Sequence, residues 1–378
     1  VIKYRQEVIF MLKKFTVRNY KGFKEEISID FSKYREYQFN KHVIKRNLLN
    51  MGVIYGKNGA GKTNFGLALF DITLHLVDKQ KSMYEYSNYL NASSADSSAR
   101  FSYQFVFDNQ EVTYNYQKKD AEKLVFEELY IGDQKVFSYN YNTHASDLEN
   151  MGLVDAETLQ IDKENITISL LRYIKNNTIQ DKQSILSKLF EFVNNMLWFR
   201  SLGQNEYIGY KSGIDFIMTS IIKNGRIKDY EAFLNKAGIN LKLEVRRDAT
   251  GQEMIFARFG QKLLVFWDII SNGTQALTLF YFWSQELANI SFLFIDEFDA
   301  FYHTELAEVI LQELSQKAVG QVFLTTHNTA LMSNNILRPD CYFVLSNNKL
   351  TSLPDCTEKE LREGHNLEKM YRNGDFRE

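Results

Sequence analysis

The sequence predicts an α/β fold: a mixed sheet covered by helices, an antiparallel β region beside it, and a helical segment inserted between the two halves. Three observations predict it. Residues 49–55 are a short apolar run that breaks into glycines and then into a helical pattern. Residues 101–130 alternate apolar and polar in strand-length pieces. From residue 274 onward, helical patterns and short apolar strands take turns, as parallel strands with helical crossovers do.

The N-terminal region opens with two strand patterns. Phe15, Val17 and Tyr20 alternate with polar residues, and Ile27, Ile29 and Phe31 repeat the pattern. Residues 33–47 carry Lys33, Arg35, Lys41, Lys45 and Arg46 and read as a surface loop. Residues 49–55 suit a strand buried on both faces. Phe65, Leu69, Ile72 and Leu76 then recur at helical spacing. A loop is expected over 84–100. Phe101, Tyr103, Phe105 and Phe107 fall on one strand face, and strands at 111–117 and 124–130 continue a meander, with Asp108-Asn109 as a turn. Residues 150–240 read as mainly helical, without a sustained heptad. Strands are expected at 241–246, 253–267, 291–295, 321–325 and 341–345, and helices at 274–288 and 304–318.

Composition bounds the function. The 378 residues would make two or three domains at roughly 150 each, or one large one. Lys+Arg is 45 against Asp+Glu 47, which excludes a globally basic nucleic-acid coat but leaves a local basic patch open. Two cysteines, Cys341 and Cys356, cannot build a zinc ribbon or a disulfide framework, and they fit a reducing compartment. No apolar run approaches the ~18 residues of a membrane span. A cytoplasmic protein is the expectation. Residues 1–10 precede Met11 and read as an extension.

Gly56-Lys57-Asn58-Gly59-Ala60-Gly61-Lys62-Thr63 has the form G-x-x-x-x-G-K-[ST], between a strand and a helix. In such a loop the backbone amides of Asn58, Gly59, Ala60 and Gly61 turn toward phosphate oxygens at a helix N-terminus. Lys62 reaches the outer phosphates and the Thr63 hydroxyl holds Mg²⁺. Downstream, the apolar run Phe292–Ile295 ends in Asp296-Glu297. At a strand tip beside the loop, Asp296 would bind Mg²⁺ and Glu297 would polarise the attacking water.

Lys62 and Asp296 are 234 residues apart, far more than in compact P-loop GTPases. The chain resembles the ABC-type ATPases of the RecF/SMC/OLD group, on five segments in order. Phe15–Phe23 is similar to the N-terminal strand and N-[FY]-[KR]-x-F turn. Gly56–Thr63 is the phosphate loop, with Asn58. Ile270-Ser271-Asn272-Gly273-Thr274 resembles the signature motif. Asp296-Glu297-Phe298-Asp299 runs from Walker B into the D-loop. Thr325-Thr326-His327-Asn328 resembles the switch-histidine segment. Asn272 and Thr274 depart from the transporter-type signature toward the OLD-like bacterial ATPases. So do His303, after the acids, and the C-terminal segment 364–371. Many OLD-like members are ATPase subunits of anti-phage systems of the Septu, PARIS or retron-associated type.

The resemblance implies an ATPase head in two parts, 11–140 and 241–378, with a helical lid or arm at 141–240. It implies ATP and Mg²⁺ as cofactors. It also implies a dimer sandwiching two nucleotides, in which Ser271 and Gly273 contact the partner's γ-phosphate. Ser271 has a second reading, as a plain helix cap. The same resemblance gives His327 a role at the γ-phosphate and Asp299 one across the dimer. His303 either orients the D-loop or caps the next helix. Arg18 and Lys21 either touch phosphate or DNA or lie on solvated surface. Gln104 is the one Q-loop candidate, or else the outer face of a strand. Phe190, Phe192, Met196, Leu197, Trp198 and Phe199 are either core or an interface. Three functions stand: a nucleotide-gated defence subunit controlling a separate nuclease-like effector, a RecF-like DNA-repair ATPase, and a non-hydrolysing scaffold.

Overall fold

The computed structural model describes residues 10–77, 87–200, 207–209, 214–248, 251–300 and 302–376. Residues 1–9 of the expected extension 1–10, the loop residues 84–86 and Phe301 lie outside the described residues.

Strand β1 (Met11–Arg18) buries Phe15 and Val17 and pairs antiparallel with β2 (Ile27–Asp30). A two-residue pair, β3 (Ile44–Lys45) and β4 (Leu48–Leu49), follows. Next come β5 (Met51–Tyr55), buried at every position, and α1 (Lys62–Val77). The predicted meander is present as β6 (Ala99–Phe107), β7 (Gln110–Lys118) and β8 (Leu124–Ile131). Asp108 and Asn109 both have positive φ, as a two-residue hairpin turn of this kind requires. Two strands that the pattern did not announce extend the meander, β9 (Gln134–Asn140) and β10 (Ser146–Asp147). Together these strands form a seven-stranded antiparallel sheet, β10-β9-β8-β7-β6-β1-β2.

The segment 141–240, expected as a helical insertion, holds α2 (Leu170–Asn177), α3 (Ile185–Asn194), α4 (Ile214–Lys223) and α5 (Ile227–Lys236). Ser169 and Ser184 cap α2 and α3 by accepting the amides of Arg172 and Ser187. The segment is not helical throughout. Between α3 and α4 lie β11 (Met196–Arg200) and β12 (Tyr207–Gly209). Met196–Phe199 has no alternation because β11 sits inside a sheet with both faces covered. Phe190, Phe192, Met196, Leu197, Trp198 and Phe199 are accordingly core.

A small antiparallel sheet follows, β13 (Lys242–Arg247), β14 (Glu253–Phe259) and β15 (Lys262–Val265). The predicted strand at 253–267 is therefore a hairpin turning at Gly260, which has positive φ. It runs into the one-turn α6 (Phe266–Ile269). The rest is α7 (Asn272–Ser284), β16 (Phe292–Asp296), α8 (Thr304–Lys317), β17 (Gln321–Thr326), β18 (Tyr342–Ser346), β19 (Lys349–Ser352) and α9 (Leu367–Arg372).

The central sheet runs β12-β11-β16-β17-β5-β18-β19. Its five inner strands are parallel, and the two edge strands are antiparallel. This is the predicted mixed sheet, with the antiparallel subdomain beside it. Helix α1 lies between the sheets. Phe65 packs edge-on against Phe15 of β1, and Gly66 lets the ring of Phe294 in β16 approach where a Cβ would stand 2.4 Å away. Across the antiparallel side, buried Lys118 meets buried Asp71 of α1 at 3.0 Å, and Tyr89 and Tyr116 donate to the same carboxylate. Gln321 joins the sheets at their base, where its side chain accepts the amide of Leu12 and donates to the carbonyls of Leu12 and Leu49. Among the described residues, no helix is long and apolar enough to cross a membrane.

Candidate functional site

Strand β5 ends at Tyr55 and the chain turns through Gly56–Gly61 into α1. Gly59 and Gly61 have φ of +79° and +102°, values that side chains other than glycine rarely tolerate. Gly61 also lies under Phe23, whose ring would be 3.1 Å from a Cβ. Phe23 belongs to the turn 19–23, closed by reciprocal backbone bonds between Tyr20 and Phe23 and by the buried Asn19 side chain donating to Asp96 and Ser98. The N-terminal turn is thus a support for the loop. Arg18 lies near Asp96 and Glu25, and Lys21 donates to Ser87, so both make contacts within the chain. Asn58 and Gly59 are exposed at the loop's crest. An open groove of about 280 Å³ runs along Gly56–Ala60 and the tip of the β18–β19 hairpin.

Lys62 and Thr63 open α1, and β16 and β17 end level with them. Thr63 donates its hydroxyl to Asp296 at 2.7 Å. Thr325 donates to the other oxygen of Asp296 at 2.6 Å and accepts the Glu297 amide at 2.8 Å. Glu297 has φ of +51°, a backbone position that costs about 1–3 kcal/mol outside glycine. Thr326 donates to Asp299 at 2.6 Å and accepts the amide of Asn328. Lys62 donates to the Gly56 carbonyl at 2.8 Å and reaches His327 Nε2 at 2.9 Å.

The electrostatics follow from this packing. Burial pushes the Lys62 ammonium down, while Asp296 and Glu297 pull it back up. Burial and the Lys62 charge together hold the His327 imidazole below its ordinary range, against the opposite pull of Glu297 and Asp299. The Thr63 hydroxyl and the Asp296 carboxylate are hard oxygen donors side by side. That is the donor set that suits Mg²⁺ shared between protein and phosphates.

Of the sequence-predicted residues, Lys62, Thr63, Asp296, Glu297, Asp299 and His327 are brought together by these contacts. Asn58, Gly59, Ala60 and Gly61 line the loop above them. Ser271 and Gly273 stand at the start of α7, where Ser271 accepts the Thr274 amide as the N-cap and is exposed with Asn272. His303 caps α8 by accepting the Leu306 amide, the second of its two readings. Gln104 sits within β6, paired between Lys14 and Thr113 in the antiparallel sheet. The basic stretch 33–46 is largely engaged: Arg35 with Asp355, Arg46 with Asp108, and Lys45 with the Ala318 carbonyl. Sequence reasoning gave Thr325 and Thr326 no separate roles. Their doublet before His327 was the available signal.

The chain matches the family model described as AAA domain, putative AbiEii toxin, Type IV TA system, over residues 52–333. Among solved structures it is similar to the SmcHead bound to the C-winged helix domain of ScpA, at 13% identity and TM-score 0.46, over 90% of this chain and 97% of that one. It is also similar to the SMC head domain from Thermotoga maritima, at 15% identity and TM-score 0.42, over 93% and 100%. A third is the Smc head domain with an extended coiled coil bound to the C-terminal domain of ScpA derived from Pyrococcus furiosus, at 14% and 0.46, over 91% and 96%. No curated protein matches.

Proposed function

The chain belongs to the AAA-domain family described as putative AbiEii toxin, Type IV TA system, and from that premise we propose that it binds ATP with Mg²⁺, hydrolyses it, and uses the cycle to open and close a homodimer. The observation that carries the reading is the hydrogen bond from Thr63 to Asp296, which joins residues 233 positions apart beside the loop 56–63.

The phosphates would lie over the amides of Asn58–Gly61, at the positive end of α1. Lys62, already beside the Gly56 carbonyl, would turn its ammonium to the outer phosphate oxygens. Thr63 and Asp296 would hold Mg²⁺, which neutralises phosphate charge when bound. Glu297 would orient the attacking water and take its proton, and His327 would face the γ-phosphate. Exposed Ser271 and half-buried Gly273, at the start of α7, would complete the partner's site, with Asp299 beside the interface.

The defence setting rests on the S-x-G-T form of 271–274, His303 and the C-terminal segment. In it, the dimer would control a separate nuclease-like effector in the cytoplasm. The net charge of -2, with Arg35 and Arg46 facing acids within the chain, favours a protein partner over DNA.

The test is the mass of the purified protein with and without ATP. Glu297→Gln should form a stable dimer with ATP, wild type should form it transiently, and Lys62→Ala, expected to lose nucleotide binding, should stay unchanged. Equal ATP turnover in wild type and Glu297→Gln would overturn the role of Glu297. Identical masses with and without ATP in Glu297→Gln would overturn the nucleotide-gated dimer.

A further inference from the structure

Glu297 lies in the left-handed region that side-chain-bearing residues rarely occupy, so its surroundings must hold it there. Both peptide units that flank its side chain are gripped by one residue. The Glu297 amide donates to Thr325 Oγ1 at 2.8 Å, and the Phe298 amide donates to the Thr325 carbonyl at 3.0 Å. The same hydroxyl gives its proton to Asp296 at 2.6 Å. A carboxylate can only accept and an amide can only donate, so the hydroxyl has one possible orientation. Thr325 is itself fully buried and held in β17 opposite Ile54 of β5. The β16–β17 ladder ends at the pair Ile295–Leu324, and Thr325 takes over one step later, where the chain leaves the strand.

We infer that Thr325 is a positioning residue for hydrolysis: it aims the Glu297 side chain by fixing the backbone on both sides of it, and clamps Asp296 with the same hydroxyl. The inference rests on the ATPase reading above, with Glu297 as the group that orients water. A threonine that only filled a polar gap in the core would affect folding and leave turnover per folded molecule unchanged.

Thr325→Val keeps the shape and deletes the hydroxyl. Its kcat for ATP should fall roughly 10–100-fold, the usual effect of losing a supporting partner of a site group. With Mg²⁺ in saturating excess, so that a looser Asp296 does not limit metal binding, KM for ATP should stay within about twofold, since the phosphate loop is untouched. Thr325→Ser should restore kcat. Hydrogen–deuterium exchange of the peptide covering 296–300 should rise in Thr325→Val and not in Thr325→Ser. A kcat within about twofold of wild type, or a KM that rises in step with the loss, overturns the inference. If Thr325→Val does not fold, Thr325→Ala, smaller and equally without the hydroxyl, takes its place, and an unchanged kcat there overturns the inference equally. Wild type and Glu297→Gln run alongside. If those two turn over ATP equally, the ATPase reading of Glu297 has failed. If they differ as expected while Thr325→Val matches wild type, only the present inference has failed.

Discussion

The Nζ of Lys62 lies 2.9 Å from Nε2 of His327, although the two residues are 265 positions apart. Two basic groups this close cannot both carry charge comfortably. The ammonium donates and the neutral imidazole accepts, while the Gly56 carbonyl takes a further ammonium proton. The contact joins the phosphate loop directly to the end of β17.

A pH dependence follows. His327 binds its proton more weakly in the fold than in the open chain, because of burial and then Lys62. Below the ordinary value of 6.5 the unfolded chain therefore takes up more protons than the folded one. The stabilising state of this group is complete above that pH and is lost as pH falls below it. Thermal unfolding followed against pH should show wild type losing more stability on acidification than His327→Gln. Parallel profiles would contradict the assigned protonation state.

The buried pair of Lys118 and Asp71 should be costly to break from one side. Asp71→Asn leaves the Lys118 ammonium without its counter-charge, and such losses run at about 3–5 kcal/mol. Denaturant unfolding measures this. The double variant Asp71→Asn/Lys118→Met should recover part of the loss, because no buried charge remains. A single-variant cost below about 1 kcal/mol would mean that the pair is solvated in solution.

Gly66→Ala pits two effects against each other. Alanine gains about 1 kcal/mol of helix propensity over glycine. Its Cβ would meet the Phe294 ring at 2.4 Å in a packed core, where overpacking costs about 1–3 kcal/mol. The clash should win, lifting α1 off β16 and separating Thr63 from Asp296. The variant should be destabilised and should bind nucleotide more weakly. A more stable protein with unchanged affinity would show that the ring yields freely.

Ser271→Ala separates the two roles of that residue. Loss of a serine cap costs about 1 kcal/mol of stability. A hydroxyl that reaches the partner's nucleotide would in addition lower turnover well below what that small destabilisation explains, with ATP binding by the monomer unchanged. Stability and kcat measured on the same preparation decide it. A stability loss with normal turnover leaves only the cap.

Much of the site was legible because its elements are local. The loop 56–63, the apolar strand before Asp296 and the helix after Thr63 each declare themselves within a few residues. Other features depended on neighbours distant in sequence. Nothing in Met196–Arg200 says that it lies against β16, and an apolar run of that length reads equally as a turn of buried helix. The two uses of His303 could be separated only once the Leu306 amide was placed. Thr325 and Thr326 are chemically alike and adjacent. Strand alternation sends one hydroxyl to Asp296 and Glu297 and the other to Asp299, and that division depends on how β16 ends beside β17.

Strand β11 has a mechanical consequence. It runs in parallel register with β16, from Met196 opposite Phe292 to Arg200 opposite Asp296. A pull along β11 would act on a ladder whose last rung is the Asp296 backbone. Strain would travel to Asp296 through hydrogen bonds in shear. Conversely, a shift of Asp296 would act on β11 through the same ladder.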